Sequence, residues 1–84
     1  MIGQFVTSKA GHDCDGLYVI VATEGDYVYL CDGKYRTISK PKKKNRKHIQ
    51  PIGQKVDEGL LDKLINHEKV MDEQLKYAIK NYRQ

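Results

Sequence analysis

The chain has 84 residues, with 15 Lys plus Arg against 11 Asp plus Glu and a formal charge of +4, which leaves room for one small domain. A domain of this size buries only about 60–65% of the surface its unfolded chain exposes. That thin core excludes the enclosed pocket of most metabolic enzymes and places function on the surface. Two cysteines, Cys14 and Cys31, are too few for a disulfide-stapled scaffold, and the longest apolar run, residues 17–22, is far shorter than a membrane span or a signal core. A reduced, cytoplasmic protein with no membrane contact is the expectation.

Val, Ile, Thr and Tyr concentrate in the first half and are interrupted by Gly and Asp. This pattern predicts strands at residues 4–8, 16–23, 27–31 and 34–39, paired as an antiparallel meander. Glu24-Gly25-Asp26 reads as a tight turn, and Asp32-Gly33 as a two-residue hairpin turn in which Gly takes a positive φ. A short fifth strand is predicted at residues 48–52, after Pro41 removes a backbone donor and the basic run crosses the surface as a loop. Five such strands are expected to curl into a small barrel, which hides the edges of an open sheet.

From Asp57 the period changes. Leu60, Leu61, Leu64 and Ile65 fall on one helical face, with Asp57 as N-cap and Gly59 weakening the start. A second helix is predicted at residues 72–82, where Asp72 and Glu73 suit the positive end of the dipole and Leu75, Ala78, Ile79 and Tyr82 share a face. The expected organisation is a mainly β barrel with its basic loop over residues 1–56, and a helical extension of the same domain over 57–84.

Charge is strongly segregated. Residues 33–56 hold nine Lys or Arg and no acid, while the remainder holds six against all eleven acids. The densest part is Lys40-Pro41-Lys42-Lys43-Lys44-Asn45-Arg46-Lys47-His48, with six Lys or Arg and one His in nine residues. Such density repels itself unless an anion neutralises it, and a polyphosphate chain is the natural anion. A merely solvated loop and a nuclear-localisation signal are the plainer readings. The stiffening Pro41 and the position between two predicted strands favour a fixed basic face.

Gly3-Gln4-Phe5-Val6-Thr7-Ser8-Lys9-Ala10-Gly11, followed by Asp15-Gly16 and the strand from Leu17 to Val21, resembles the KOW motif of several ribosomal proteins and transcription elongation factors. Asp32-Gly33-Lys34-Tyr35-Arg36-Thr37-Ile38, followed by the Lys run closing on Lys47-His48-Ile49, resembles the small bacterial KOW-domain RNA-binding proteins. Those are similar in turn to large-subunit ribosomal proteins of archaea and eukaryotes. The resemblance covers residues 3–52 and implies an SH3-like barrel that binds RNA, with ribosomal RNA, the ribosome or ribosomal proteins as partners. It also implies backbone approach to RNA at Gly11 and contacts from Lys9 and His12. Because the loop at residues 9–15 has two acids to one Lys, the main footprint is expected on Lys34, Tyr35, Arg36, Lys40, Lys42, Lys43, Lys44, Arg46, Lys47 and His48.

On that reading Lys and Arg neutralise phosphates, and selectivity comes from RNA shape and stacked bases. Tyr35 alternates with Lys34 and Arg36, so its face is open from sequence. Tyr18, Tyr27 and Tyr29 are read as structural. His12 and Cys14 lack a second ligand pair, so no metal site is expected, and Cys31 reads as a small core residue. Asp13 and Asp15 form a close carboxylate pair with no phosphate cradle or nucleophile motif beside them, so a solvated turn is the economical reading. The expected protein has no catalytic residues and no cofactor, and is a monomer. The rival is a protein-interaction module that docks a partner through the barrel or through acidic C-terminal helices.

Overall fold

The computed structural model describes residues 1–8 and 16–83. It is mainly β, with β1 at Gln4–Ser8, β2 at Leu17–Glu24, β3 at Tyr27–Cys31, β4 at Lys42–Asn45, a 3-10 turn at Arg46–His48, β5 at Ile49–Lys55, α1 at Glu58–Ile65 and α2 at Asp72–Arg83. The strands form one antiparallel sheet in the order β4-β3-β2-β1-β5. The first three predicted strands and both helices stand where alternation and helical period place them, within about a residue at each end.

The fourth strand does not. Residues 34–39 form no strand, and the Lys run expected as a loop is itself β4. Local chemistry at Asp32 decides this. Its Oδ1 accepts from the N–H of Lys34 at 2.9 Å, Tyr35 at 2.9 Å and Arg36 at 2.8 Å, and the N–H groups of Asp32 and Gly33 donate to the Arg36 carbonyl at 3.0 and 3.1 Å. Those bonds capture donors that a ladder needs, so a short-range side-chain motif displaces the sheet. The two-residue hairpin at Asp32-Gly33 is therefore replaced by a connection spanning residues 32–41. Gly33 does take the positive φ, at +80°. Pro41 falls just before the first ladder residue of an edge strand, where a missing N–H does no harm.

The sheet is strongly curved. In a flat sheet its two edges, β4 and β5, would lie four strand spacings apart, about 19 Å. Only three residues of 3-10 turn join them, and these rise roughly 2 Å each. The sheet must bend round to close that gap, and an extra residue in β2 between Ile20 and Ala22 and extra residues in β5 between Pro51 and Lys55, opposite Gln4 and Val6 of β1, supply local bending. Among the described residues the sheet remains open, with no ladder between β4 and β5.

Curvature gives each face its own core. The concave face encloses Val6, Tyr18, Ile20, Val28, Leu30 and Ile49. The convex face carries Phe5, Leu17, Val19 and Cys31, which pack with Val56, Leu60, Leu64, Val70, Leu75 and Ile79 from the helical region. The split follows from strand alternation, since Phe5, Val19 and Cys31 are cross-strand neighbours.

The helices begin where capping chemistry allows. Asp57 accepts from the Leu60 N–H at 2.9 Å and caps α1, and α1 is followed by His67 at φ +58°. At the start of α2 the Gln74 side chain accepts from the Met71 N–H at 2.8 Å. Asp72 instead accepts from the Ile38 N–H at 2.8 Å, which ties the connection after β3 to this helix. Phe5 and Tyr82 stack with centroids 4.8 Å apart and close the far end. Among the described residues, no helix is long and apolar enough to cross a membrane.

Candidate nucleic-acid interface

The basic residues are displayed by an edge strand and the 3-10 turn that follows it. In β4, Lys42 and Lys44 lie opposite Leu30 and Val28, on the concave side, while Lys43 lies opposite Tyr29 on the convex side. Lys42 and Lys44 are half-buried. Burial, and after it the neighbouring Lys44 charge, lowers the Lys42 ammonium below its ordinary value. Lys43 holds its Nζ 4.6 Å from the Tyr27 ring centroid and 3.8 Å from the Glu24 carboxylate. The Tyr29 hydroxyl donates to the same carboxylate at 3.4 Å. An ion pair this exposed contributes little to stability, so Lys43 remains available to an anion at small cost.

Arg46, Lys47 and His48 are exposed on the turn. Asn45 shapes it by accepting from the Lys47 N–H at 3.0 Å, and the Arg46 N–H donates to the Asp26 carbonyl at 2.9 Å. These bonds anchor the backbone and leave the three side chains outside. At the other end of β4, Lys40 is exposed, its N–H donating to the Thr37 carbonyl at 3.0 Å.

Lys34, Tyr35 and Arg36 project from the loop wrapped around the Asp32 carboxylate. Tyr35 is 78% exposed, which settles the orientation that alternation left open, and the Lys34 ammonium lies 5.0 Å from its ring centroid. Tyr18 is buried, and burial followed by the Asp32 charge pushes its hydroxyl above the usual range, with Arg36 acting in the opposite direction. Cys31 is fully buried, as the sequence suggests, and donates to the Thr37 carbonyl at 3.3 Å. Lys9, Gly11 and His12 lie outside the described residues.

Two groups of expected site residues are thus separated by the length of β4: Lys34, Tyr35 and Arg36 near its start, and Arg46, Lys47 and His48 at its end. One aromatic was misplaced by sequence reasoning. Tyr27 is 42% exposed beside Lys43, because Val28 and Leu30 are the pair that packs in the concave core. A second group was missed, Lys76, Lys80 and Arg83 on α2. Their i, i+4, i+7 spacing is the signal the sequence carries for them. Among the described residues, no three His, Cys, Asp or Glu side chains gather as a metal site would require. No family model matches the chain, and no curated protein is similar enough to it to count as a relative.

Proposed function

We propose that the chain is an RNA-binding module of the KOW type, built on an SH3-like small barrel and acting at ribosomal RNA or elsewhere in the translation apparatus. The observation that carries this reading is the single-sign edge. Lys40, the β4 lysines, Arg46 and Lys47 occupy one continuous backbone path inside a window without a single acid. A five-stranded antiparallel sheet curled about its own core supports the SH3-like reading, and the family and its target rest on the resemblance at residues 3–52.

In this mechanism the cations neutralise phosphates and release counterions, fixing the RNA without reading its sequence. The exposed rings of Tyr27 and Tyr35 offer stacking surfaces for unpaired bases. With five to seven phosphates neutralised, log K falls against log salt with a slope of about −4 to −6. Fluorescence titration of labelled RNA over a salt series measures this, and a slope near zero overturns the proposal.

The protein-interaction reading retains one specific observation. A cleft of about 540 Å³ between α1, α2 and the sheet is lined in part by Phe5, Tyr77 and Tyr82, and Tyr77 is largely exposed. Ribosome sedimentation separates the two readings. RNA binding predicts comigration that high salt strips off, and a soluble partner predicts none.

A further inference from the structure

A second cationic surface lies away from the β4 edge. The Asp32–Arg36 loop and α2 face one another across an open groove of about 890 Å³, floored by Leu17, Tyr18 and Ile79. Lys34 and Tyr35 stand on one wall, and Lys76, Lys80 and Arg83 on the other. The three α2 cations recur at helical spacing, so they form one row, about 10 Å long at 1.5 Å per residue. All three are exposed.

The dipole at the C-terminal end of a helix accounts for cations in its last turn, such as Lys80 and Arg83. It does not account for Lys76, on the second turn. Asp72 and Glu73 stand four and three residues before Lys76, and the Asp72 Oδ1 also accepts from the Ile38 N–H. No Asp or Glu occurs from residue 74 to the end of α2, so beyond Lys76 the row repels itself at spacings of four and three with no acid between its members. Among the described residues the one acid lining the groove is Asp32, and its Oδ1 accepts three backbone N–H groups.

We propose that this groove holds a short single-stranded segment of RNA, with phosphates along Lys76, Lys80 and Arg83 and a base stacked on Tyr35. The inference rests on RNA being the ligand of the β4 edge, and adds a second site with a different substrate form. The groove's volume admits a few nucleotides and not a double helix. Tyr35, 78% exposed at the mouth, is what selects a nucleic acid over an acidic peptide, because a peptide carboxylate gains nothing from a stacking surface while every base has a π-face. Lys34 holds its Nζ over one face of the ring, 5.0 Å from the centroid, so the base stacks on the opposite face.

The test compares a blunt RNA hairpin with the same hairpin bearing a short 3′ uridine tail. For the native chain the tail tightens binding. Tyr35→Ala removes at least about fivefold of that gain. The triple variant Lys76→Gln, Lys80→Gln, Arg83→Gln removes the gain and lowers the salt slope for the tailed RNA by about 2, at roughly 0.7 for each phosphate of a single strand. The triple variant leaves binding of the blunt hairpin unchanged, Tyr35→Ala is judged on the gain from the tail alone, and circular dichroism verifies that both are folded. A tail that adds nothing, or a gain that survives both variants, overturns the groove. Polyglutamate that competes as well as oligouridine also overturns it, in favour of an acidic protein partner. Failure of the edge reading looks different, because Lys43→Ser, Arg46→Ser, Lys47→Ser then leaves the blunt hairpin bound as before.

Discussion

Gly33 is the point where the connection after β3 meets α2, and replacing it with Ala tests how the helices are held to the sheet. Its φ is +80°, and a Cβ there would fall within 3.0 Å of the Asp72 carbonyl oxygen and 2.9 Å from the backbone N and Cγ of Lys76. The left-handed conformation alone costs Ala about 1–2 kcal/mol. The overlap is more serious, because two of the three atoms are backbone and no rotamer change moves them. The first turn of α2 must lift by several tenths of an ångström or more. That weakens the 2.8 Å bond from the Ile38 N–H to Asp72, a loss of about 1 kcal/mol, and loosens Leu75 against Cys31 in the convex core. Together these predict a loss of about 3–5 kcal/mol. An 84-residue domain has a total stability of roughly 4–13 kcal/mol, so the variant sits close to unfolding. Gly25→Ala is the control, since Gly25 also has positive φ, +58°, but nothing lies within 4 Å of its added Cβ. It should lose about 1 kcal/mol. Urea unfolding followed by circular dichroism gives both values. Equal losses for the two variants would refute the close packing of this connection against α2.

Three further outcomes follow from particular groups. Burial, with Asp72 and Asp32 adding to it, pushes the Cys31 thiol up to about 12. The unfolded chain then releases this proton near pH 9 while the folded chain keeps it, so stability falls between about pH 9 and 12 by roughly 1.4 kcal/mol per pH unit; Cys31→Ala lacks this slope, and parallel urea curves for the two proteins would contradict it. Asp32→Ala frees three N–H groups and unravels the loop, speeding amide exchange at Lys34, Tyr35 and Arg36 at a cost of about 1–2 kcal/mol, whereas Asp32→Asn keeps an accepting oxygen and most of the protection. Replacing Lys43 and Lys47 by Glu leaves the protein monodisperse in light scattering yet weakens RNA binding more than the Ser pair does; equal binding by the Glu and Ser pairs would show that these positions do not meet phosphate.

Much of the fold is legible because its signals are local and agree with one another. Alternation identifies β1, β2 and β3, and Asp57 followed by a leucine stripe identifies α1 with its cap. β4 is illegible for the same kind of reason. Three consecutive lysines have low strand propensity, while Lys34-Tyr35-Arg36-Thr37-Ile38 has the alternation of a strand. What reverses the assignment is one carboxylate, Asp32, whose reach to three successive amides cannot be read from spacing alone. The outward face of Tyr27 depends on which side of the sheet encloses the deeper core, and that depends on curvature imposed by the short turn between β4 and β5. The identities of the basic residues are plain from sequence. Their division between two sides of an edge strand, a turn and a loop belongs to the tertiary structure.

The position of the lysines on an edge strand raises a competing physical explanation. Charged side chains on an outer strand keep other strands from pairing with it, and Lys42, Lys43 and Lys44 serve that purpose whatever the protein binds. Edge protection is indifferent to sign, however, and a mixture with Glu would serve equally and relieve repulsion. The chain does the opposite. Residues 33–56 exclude acid altogether, and the crowding is felt within the fold, where Lys44 helps lower the proton affinity of Lys42. The cations also continue past the strand into Arg46 and Lys47, where no ladder remains to protect. The opposite edge manages the same hazard in β5 with Pro51, which has no N–H, and Gly53 at φ +81°, and its residues 49–55 include one cation, Lys55. Edge protection therefore accounts for charge on β4 but not for its single sign or its extent. On the RNA-binding proposal both have one cause, because a polyanion offsets a repulsion that the isolated fold must otherwise bear.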